Sequence, residues 1–246
     1  DNGGCIHIRS SEPVTDNSPL QEGKVTTYEG GIRIPFLVRG PDVEPGSTCD
    51  TPINLLDMFP TFMAMAGMEP DPSLELDGCN ILPLMKDEAD AAVHANGTPR
   101  EAMHWYFPIE SCMTAVIRKG GWKLTHHYGM ERGDSRPAGL ELYRLYNDDG
   151  SAADLGEREN LADKHPEIRK SLAAELIDFL NDSGVSEPYR NPAFATDAER
   201  VALPSIVKRG SEGSRVWVEF ESGEGKSAIT EAFLLYTLNP KPFDTT

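Results

Sequence analysis

The polypeptide has 246 residues and a formal net charge of −17, with length enough for one large core or two small ones. That acidity excludes a nucleic-acid binder, which needs a basic stripe, and attraction to an anionic membrane surface. It leaves an anionic substrate open, because a metal ion or a few lysines set the field locally. The 19 prolines and 22 glycines favour a loop-rich α/β or α+β protein over a bundle, and no run approaches the roughly 20 apolar residues of a membrane span.

The chain opens on Asp1-Asn2-Gly3-Gly4. Asp1 and Asn2 put two hard oxygen donors side by side, of the kind Ca²⁺ or Mg²⁺ collects, although the same four residues also make an ordinary turn. Lys24 sits between Gly23 and the β-branched Val25-Thr26-Thr27, a setting for a lysine emerging from a tight turn at a sheet edge to meet an anion. The plain alternative is a solvated lysine. Glu29-Gly30-Gly31 reads as a turn entering an apolar run over 34–38 that suits a buried strand, with Arg33 at its mouth or paired with Glu29.

Next comes a helix over 53–66, with Pro60 near its start and Gly67 closing it. Its apolar residues run nearly all round, which predicts burial. Asp57 stands among them and is expected to be paired or to cap. Short strands follow over 113–117, 122–128 and 140–145, then a helix over 166–180 whose Ile168, Leu172 and Leu176 fall at helical spacing, with Pro166 near N1 and Gly184 just past the end. One helix face is expected to pack on the small sheet. The acidic stretch 147–158 reads as an exposed loop. Further on, 215–221 and 228–238 read as two strands of a β-module. The four cysteines fit neither a zinc pattern nor a dense disulfide framework and read as buried thiols. Asn96-Gly97-Thr98 and Asn181-Asp182-Ser183 are sequon triplets. His126-His127, close to Lys123, sends one imidazole to each strand face, so that one can line a cleft.

The run Asp1 to Gly4, then Ser18-Pro19-Leu20-Gln21-Glu22-Gly23-Lys24 and Tyr28 through Pro35, resembles the second half of the sulfatase family signature. Asp57-Met58-Phe59-Pro60-Thr61, Leu76-Asp77-Gly78, Gly120-Gly121-Trp122-Lys123-Leu124, Glu141-Leu142-Tyr143 and Glu159-Asn160-Leu161-Ala162 continue the resemblance in order. It implies a sulfuric ester hydrolase of the alkaline-phosphatase-like superfamily. Residues 1–100 would close an α/β catalytic domain, 101–192 would form a small antiparallel sheet packed on a C-terminal helix, and 193–246 an incomplete β-rich extension. It further implies Asp1 and Asn2 as ligands of Ca²⁺ or Mg²⁺, Lys24 as the catalytic, sulfate-contacting lysine, and His126 and Tyr106 as substrate-binding candidates. Tyr106 stands in Trp105-Tyr106-Phe107-Pro108 where relatives often carry Trp-His-x-Pro, so shape or packing is its expected role.

Sulfatases act through a formylglycine made from a Cys-x-Pro-Ser-Arg-like segment, and none of the four cysteines here is followed by one. The expectation is a C-terminal portion, inactive alone, whose partner is the missing N-terminal half and whose substrate is a sulfated small molecule or glycan. Family resemblance favours a periplasmic or extracellular location. Two other readings remain open from sequence: a phospho- or phosphonohydrolase of the same superfamily, and a non-catalytic carbohydrate- or partner-binding piece.

Overall fold

The computed structural model describes residues 4–6, 15–71, 73–109, 112–129, 138–185, 205–213 and 215–221. They fall in two compact units, Asp1–Pro188 and Tyr189–Thr246. The first is a mixed α/β unit built on a four-stranded antiparallel meander, β1 (Ala102–Ile109), β2 (Cys112–Lys119), β3 (Trp122–His127) and β4 (Gly139–Arg144), in spatial order β1-β2-β3-β4. Gly120-Gly121 makes the two-residue connection from β2 to β3, and Gly120 takes a positive φ of 55°, as such hairpin loops require. β1 is absent from the strands read from sequence. Its run Ala-Met-His-Trp-Tyr-Phe-Pro-Ile does not alternate, and it contains Pro108, a residue confined to edge strands such as this one.

The long helix α4 (Pro166–Asp182) is as expected, with proline in its first turn, Glu167 at its positive end and Gly184 in the left-handed region beyond it. Leu172, Leu176 and Leu180 recur every four residues, and they close a core with Ala115, Ile117, Leu124 and Leu142 of the sheet. Asn160 docks the chain leading to this helix, because its Oδ1 accepts Leu142 N–H at 3.1 Å and Ala162 N–H at 3.0 Å.

Before the sheet lie three short helices, α1 (Glu29–Ile32), α2 (Met58–Met65) and α3 (Leu82–Met85), and a 3-10 turn at Leu55–Asp57. Asp57 is both paired and capping, as its place among apolar residues suggested. Oδ1 receives Arg100 at 2.6 Å and Cys79 N–H at 2.8 Å, and Oδ2 receives Asn54 N–H at 2.7 Å.

Four expectations are corrected here. Residues 34–38 are neither strand nor buried: Leu37 is 94% exposed, because among the described residues no strand lies alongside to complete a ladder. The apolar helix α2 and its preceding turn leave Leu55, Leu56, Phe59, Phe62 and Met65 exposed for lack of a described second layer. The loop 147–158 is exposed only in part, since Gly156 and Glu157 turn inward and are buried. The thiols also divide, Cys79 being buried and Cys49 exposed.

The second unit is described as a hairpin of β5 (Ser205–Glu212) and β6 (Arg215–Glu221), with a register shift between Ile206 and Lys208. Trp217 lies across Gly210, where a side chain would collide with the indole. The expected strand over 228–238 lies outside the described residues.

Truncating Leu176→Ala in the sheet-helix core is expected to lower unfolding free energy by about 2–5 kcal/mol. Urea denaturation followed by far-UV circular dichroism measures it, and a loss below about 1 kcal/mol would contradict this packing.

Candidate functional site

The sheet has a second face. Alternation sends Leu124 toward α4 and Lys123, Thr125 and His127 the other way. The register adds Thr114, Arg118, Glu141 and Tyr143 to that polar side. Lys123, Thr114, Thr125 and His127 are nevertheless buried, because residues 27–33 and the loop after β4 cover them.

Lys123 Nζ, with no solvent exposure, lies 3.1 Å from Glu29 Oε1 and 2.8 Å from Glu157 Oε1. An ammonium buried this deeply requires charged partners, and it has two. Glu157 Oε2 also accepts Glu29 N–H at 2.6 Å. Burial pushes the Glu157 carboxyl above its usual range, while the charge and hydrogen bond of Lys123 pull it back. The spare oxygen of Glu29 faces Arg33 at 3.6 Å and Arg118 at 4.0 Å. Both guanidiniums lie against the Tyr146 ring, and Arg33 donates to the Tyr146 hydroxyl at 2.6 Å. The pairing of Arg33 with Glu29 was one of its two sequence readings.

Beside this triad, Glu141 Oε2 accepts the hydroxyls of Tyr28 and Tyr143, each at 2.9 Å, and meets His127 Nε2 at 2.9 Å. Burial would raise the Glu141 carboxyl. The hydrogen bond and charge of His127, joined by the two tyrosines, overcome it and hold the group down at about 2. Burial, with Tyr28 and Glu141 adding to it, pushes the Tyr143 phenol far upward. The hydroxyls of Thr27 and Thr114 meet at 3.0 Å. Residues 27–33 are thus fastened to the sheet at several successive points.

The Lys24 turn grows from that segment. Gly30 N–H donates to Gln21 O at 3.0 Å, Thr26 Oγ1 to Gly23 O at 2.8 Å, and Lys24 N–H to Gly4 O at 2.9 Å. Asn17 Nδ2 bridges Gly4 O and Glu22 O at 3.1 and 3.0 Å. A Cβ on Gly30 would overlap Glu22 O, and one on Gly31 would overlap Thr26 O, so both positions need glycine for close backbone approach. Glu22 and Val25 flank Lys24 at φ 57° and 78°. For a β-branched residue that conformation is strained, and strain of this kind gathers at ligand sites. Lys24 itself is exposed, and among the described residues its ammonium has no ion-pair partner.

Asp1 and Asn2 lie outside the described residues, although Gly4, two positions on, is the residue bonded to Lys24 N–H. Tyr106, Ala115, His126 and Leu140 form one row across the sheet on the face toward α4. Tyr106 packs against the apolar core, and the His126 ring stands 4.3 Å from that of Tyr128. The structure does not bring Tyr106 or His126 to the face that carries residues 27–33; there the histidine is His127. Sequence reasoning missed Glu141, Glu157 and the burial of Lys123. The one signal available was strand alternation anchored on Leu124, which puts Lys123 opposite the apolar face.

The family profile described as Sulfatase matches residues 7–68. A sulfatase of Formosa agariphila is 30% identical over 218 residues, covering 83% of this chain and 35% of that protein. The chain carries a sulfatase-family fold. Arylsulfatase K of Gallus gallus is 30% identical over 175 residues, 68% of this chain and 29% of the relative. Steryl-sulfatase of Mus musculus is 37% identical over 79 residues, 32% of this chain and 13% of the relative. The chain therefore spans about a third, or less, of the length of these sulfatases. The crystal structure of Ps i-CgsB shares the fold at a TM-score of 0.50 and 24% identity, covering 67% of this chain and 32% of that one. Sulfate ester hydrolysis is the chemistry of this family.

The depressed Glu141 carboxyl fixes the sign of one pH effect. Its stabilising contribution is complete above its ordinary value of 4.5 and is lost as pH falls toward 2. Glu141→Gln is expected to flatten the fall in urea-unfolding free energy over that interval by up to about 3 kcal/mol. An equal fall in both proteins would contradict the assignment.

Proposed function

We propose that this polypeptide supplies one wall of a sulfate-ester-cleaving site in which Lys24 holds the nonbridging sulfate oxygens. The observation that carries the reading is an exposed ammonium, without an ion-pair partner among the described residues, on a strained turn whose backbone is fixed by glycine contacts and by the polar sheet face. A lysine meant only for solubility has no use for such support. Sulfate-ester cleavage needs a nucleophile at sulfur, positive charge on the sulfate oxygens and a proton for the leaving oxygen. Lys24 meets the second need: its ammonium binds the anion, and the turn fixes the point at which it does so.

Asp1 and Asn2 are assigned to a divalent cation, Ca²⁺ or Mg²⁺. Among the described residues no group of three or more His, Cys, Asp or Glu side chains is arranged to hold a metal. A carboxylate next to an amide suits a hard cation, but Ca²⁺ takes about 6–8 oxygens, so these two would be a minority of its ligands. When bound, the cation adds positive charge at the sulfate. The formylglycine nucleophile of the family has no counterpart at the four cysteines of these residues and is assigned to sequence beyond them, so the 246 residues alone are proposed to be inactive. The substrate class is a sulfate ester of a small molecule or glycan, and the proposed location is periplasmic or extracellular. Among the described residues no helix is long and apolar enough to cross a membrane.

Two measurements test this. Calorimetric titration of the native protein with 4-nitrophenyl sulfate should show Lys24→Ala weakening binding about tenfold or more, as loss of a charge-assisted contact predicts; unchanged affinity would overturn the role of Lys24. The 246-residue polypeptide should give no turnover of the same ester with Ca²⁺ or Mg²⁺ added, and turnover abolished by Lys24→Ala would overturn the proposal that the nucleophile lies elsewhere.

A further inference from the structure

We infer that Lys123 and Glu157 are positioning residues for Lys24, forming with Glu29 a buried electrostatic latch that sets the Lys24 turn from the polar face of the sheet. The functional half of this inference rests on the sulfate-binding reading of Lys24; the mechanical half does not.

Lys123 Nζ binds Glu29 at 3.1 Å and Glu157 at 2.8 Å, and Glu157 also receives Glu29 N–H. Glu157 reaches the Lys24 arm by a second route. Turned to donate, the Gln21 side-chain amide lies 2.7 Å from Glu157 O and 3.0 Å from Gly156 O. Gln21 O in turn accepts Gly30 N–H, the residue after Glu29. The three residues of the latch, Glu29, Lys123 and Glu157, therefore clamp both ends of the 21–30 turn in which Lys24 sits. Glu157 holds φ 49°, an uncommon conformation for glutamate, in doing so.

The latch is separable from the main core. Segment 17–33 contributes no residue to the apolar cluster between the sheet and α4. Arg33 and Arg118, the other cations near Glu29, stand at 3.6 and 4.0 Å and do not replace the ammonium. Removing Lys123 leaves two buried carboxylates sharing no close cation, and the compliant element between them is the turn.

Amide hydrogen exchange by mass spectrometry on the native protein tests the mechanical claim. Lys123→Met and the near-isosteric Glu157→Gln are each expected to speed exchange in residues 20–33 about tenfold or more while leaving 166–182 unchanged. Equal acceleration in both segments would mean a general stabiliser, and no change in either would mean no latch; both results overturn the inference. If Lys123→Met fails to fold, Glu157→Gln decides alone. The functional claim is read by titration with 4-nitrophenyl sulfate. Both variants should weaken binding about tenfold, and the doubly neutralised Glu29→Gln/Lys123→Met should recover part of it, which loss of stability alone would not produce. If Lys24→Ala leaves affinity unchanged, the sulfate reading fails while the exchange result still decides the latch. If Lys24→Ala weakens binding and the latch variants do not, the positioning role fails and the reading stands.

Discussion

A fully buried ammonium flanked by two carboxylates sets the terms for the rest of this structure. Lys123 stands in a sheet whose other face packs its leucine-rich core on α4, so the sheet buries a charge on one side and leucines on the other. Burying an ion pair seldom adds net stability, because desolvation offsets the attraction. Leaving one member unpaired is strongly unfavourable, however, and that asymmetry makes the triad a specifier of geometry. The triad ties α1 and the loop after β4 to the same ammonium.

The two faces thus divide the labour. On the α4 side, leucines at helical spacing supply non-directional cohesion that tolerates small shifts. On the polar side the fastening contacts have a direction: Tyr28 to Glu141, Thr27 to Thr114, Glu29 to Lys123 and Glu157. Directional contacts suit a segment whose product is a position. An ammonium that stabilises charge developing on sulfate is effective when it is already in place and need not reorganise. The strain at Val25 and the glycine contacts at positions 30 and 31 fix the backbone from which Lys24 extends.

Legibility from sequence followed the range of the interactions. The helix carrying Leu172 and Leu176 was readable because its periodicity, its first-turn proline and its terminal glycine are all local signals. So were β2, β3, β4 and the role of Asp57. β1 was not, because Pro108 and an unbroken aromatic run hide an edge strand. Lys24 was legible only as part of an ordered motif, since a lysine after glycine has no local signature. Glu157 was invisible for a physical reason: in an acidic loop one glutamate looks like its neighbours, and only a fold that brings it across to Lys123 makes it different. The strand read over 34–38 shows the converse. Its apolar run is real, yet a strand exists only by pairing, and a sequence pattern does not say what stands beside it.

That open run bears on how the polypeptide behaves in a flask. Ile34, Phe36, Leu37 and Val38 form an exposed hydrophobic patch, interrupted by Pro35, that favours association between molecules, while a net charge of −17 holds the same molecules apart. Repulsion between exposed charges fades over about 8 Å at physiological ionic strength and over about 3 Å at 1 M salt, whereas apolar association does not weaken with added salt. Colloidal behaviour is therefore a contest between these two ranges, and added salt tips it toward self-association.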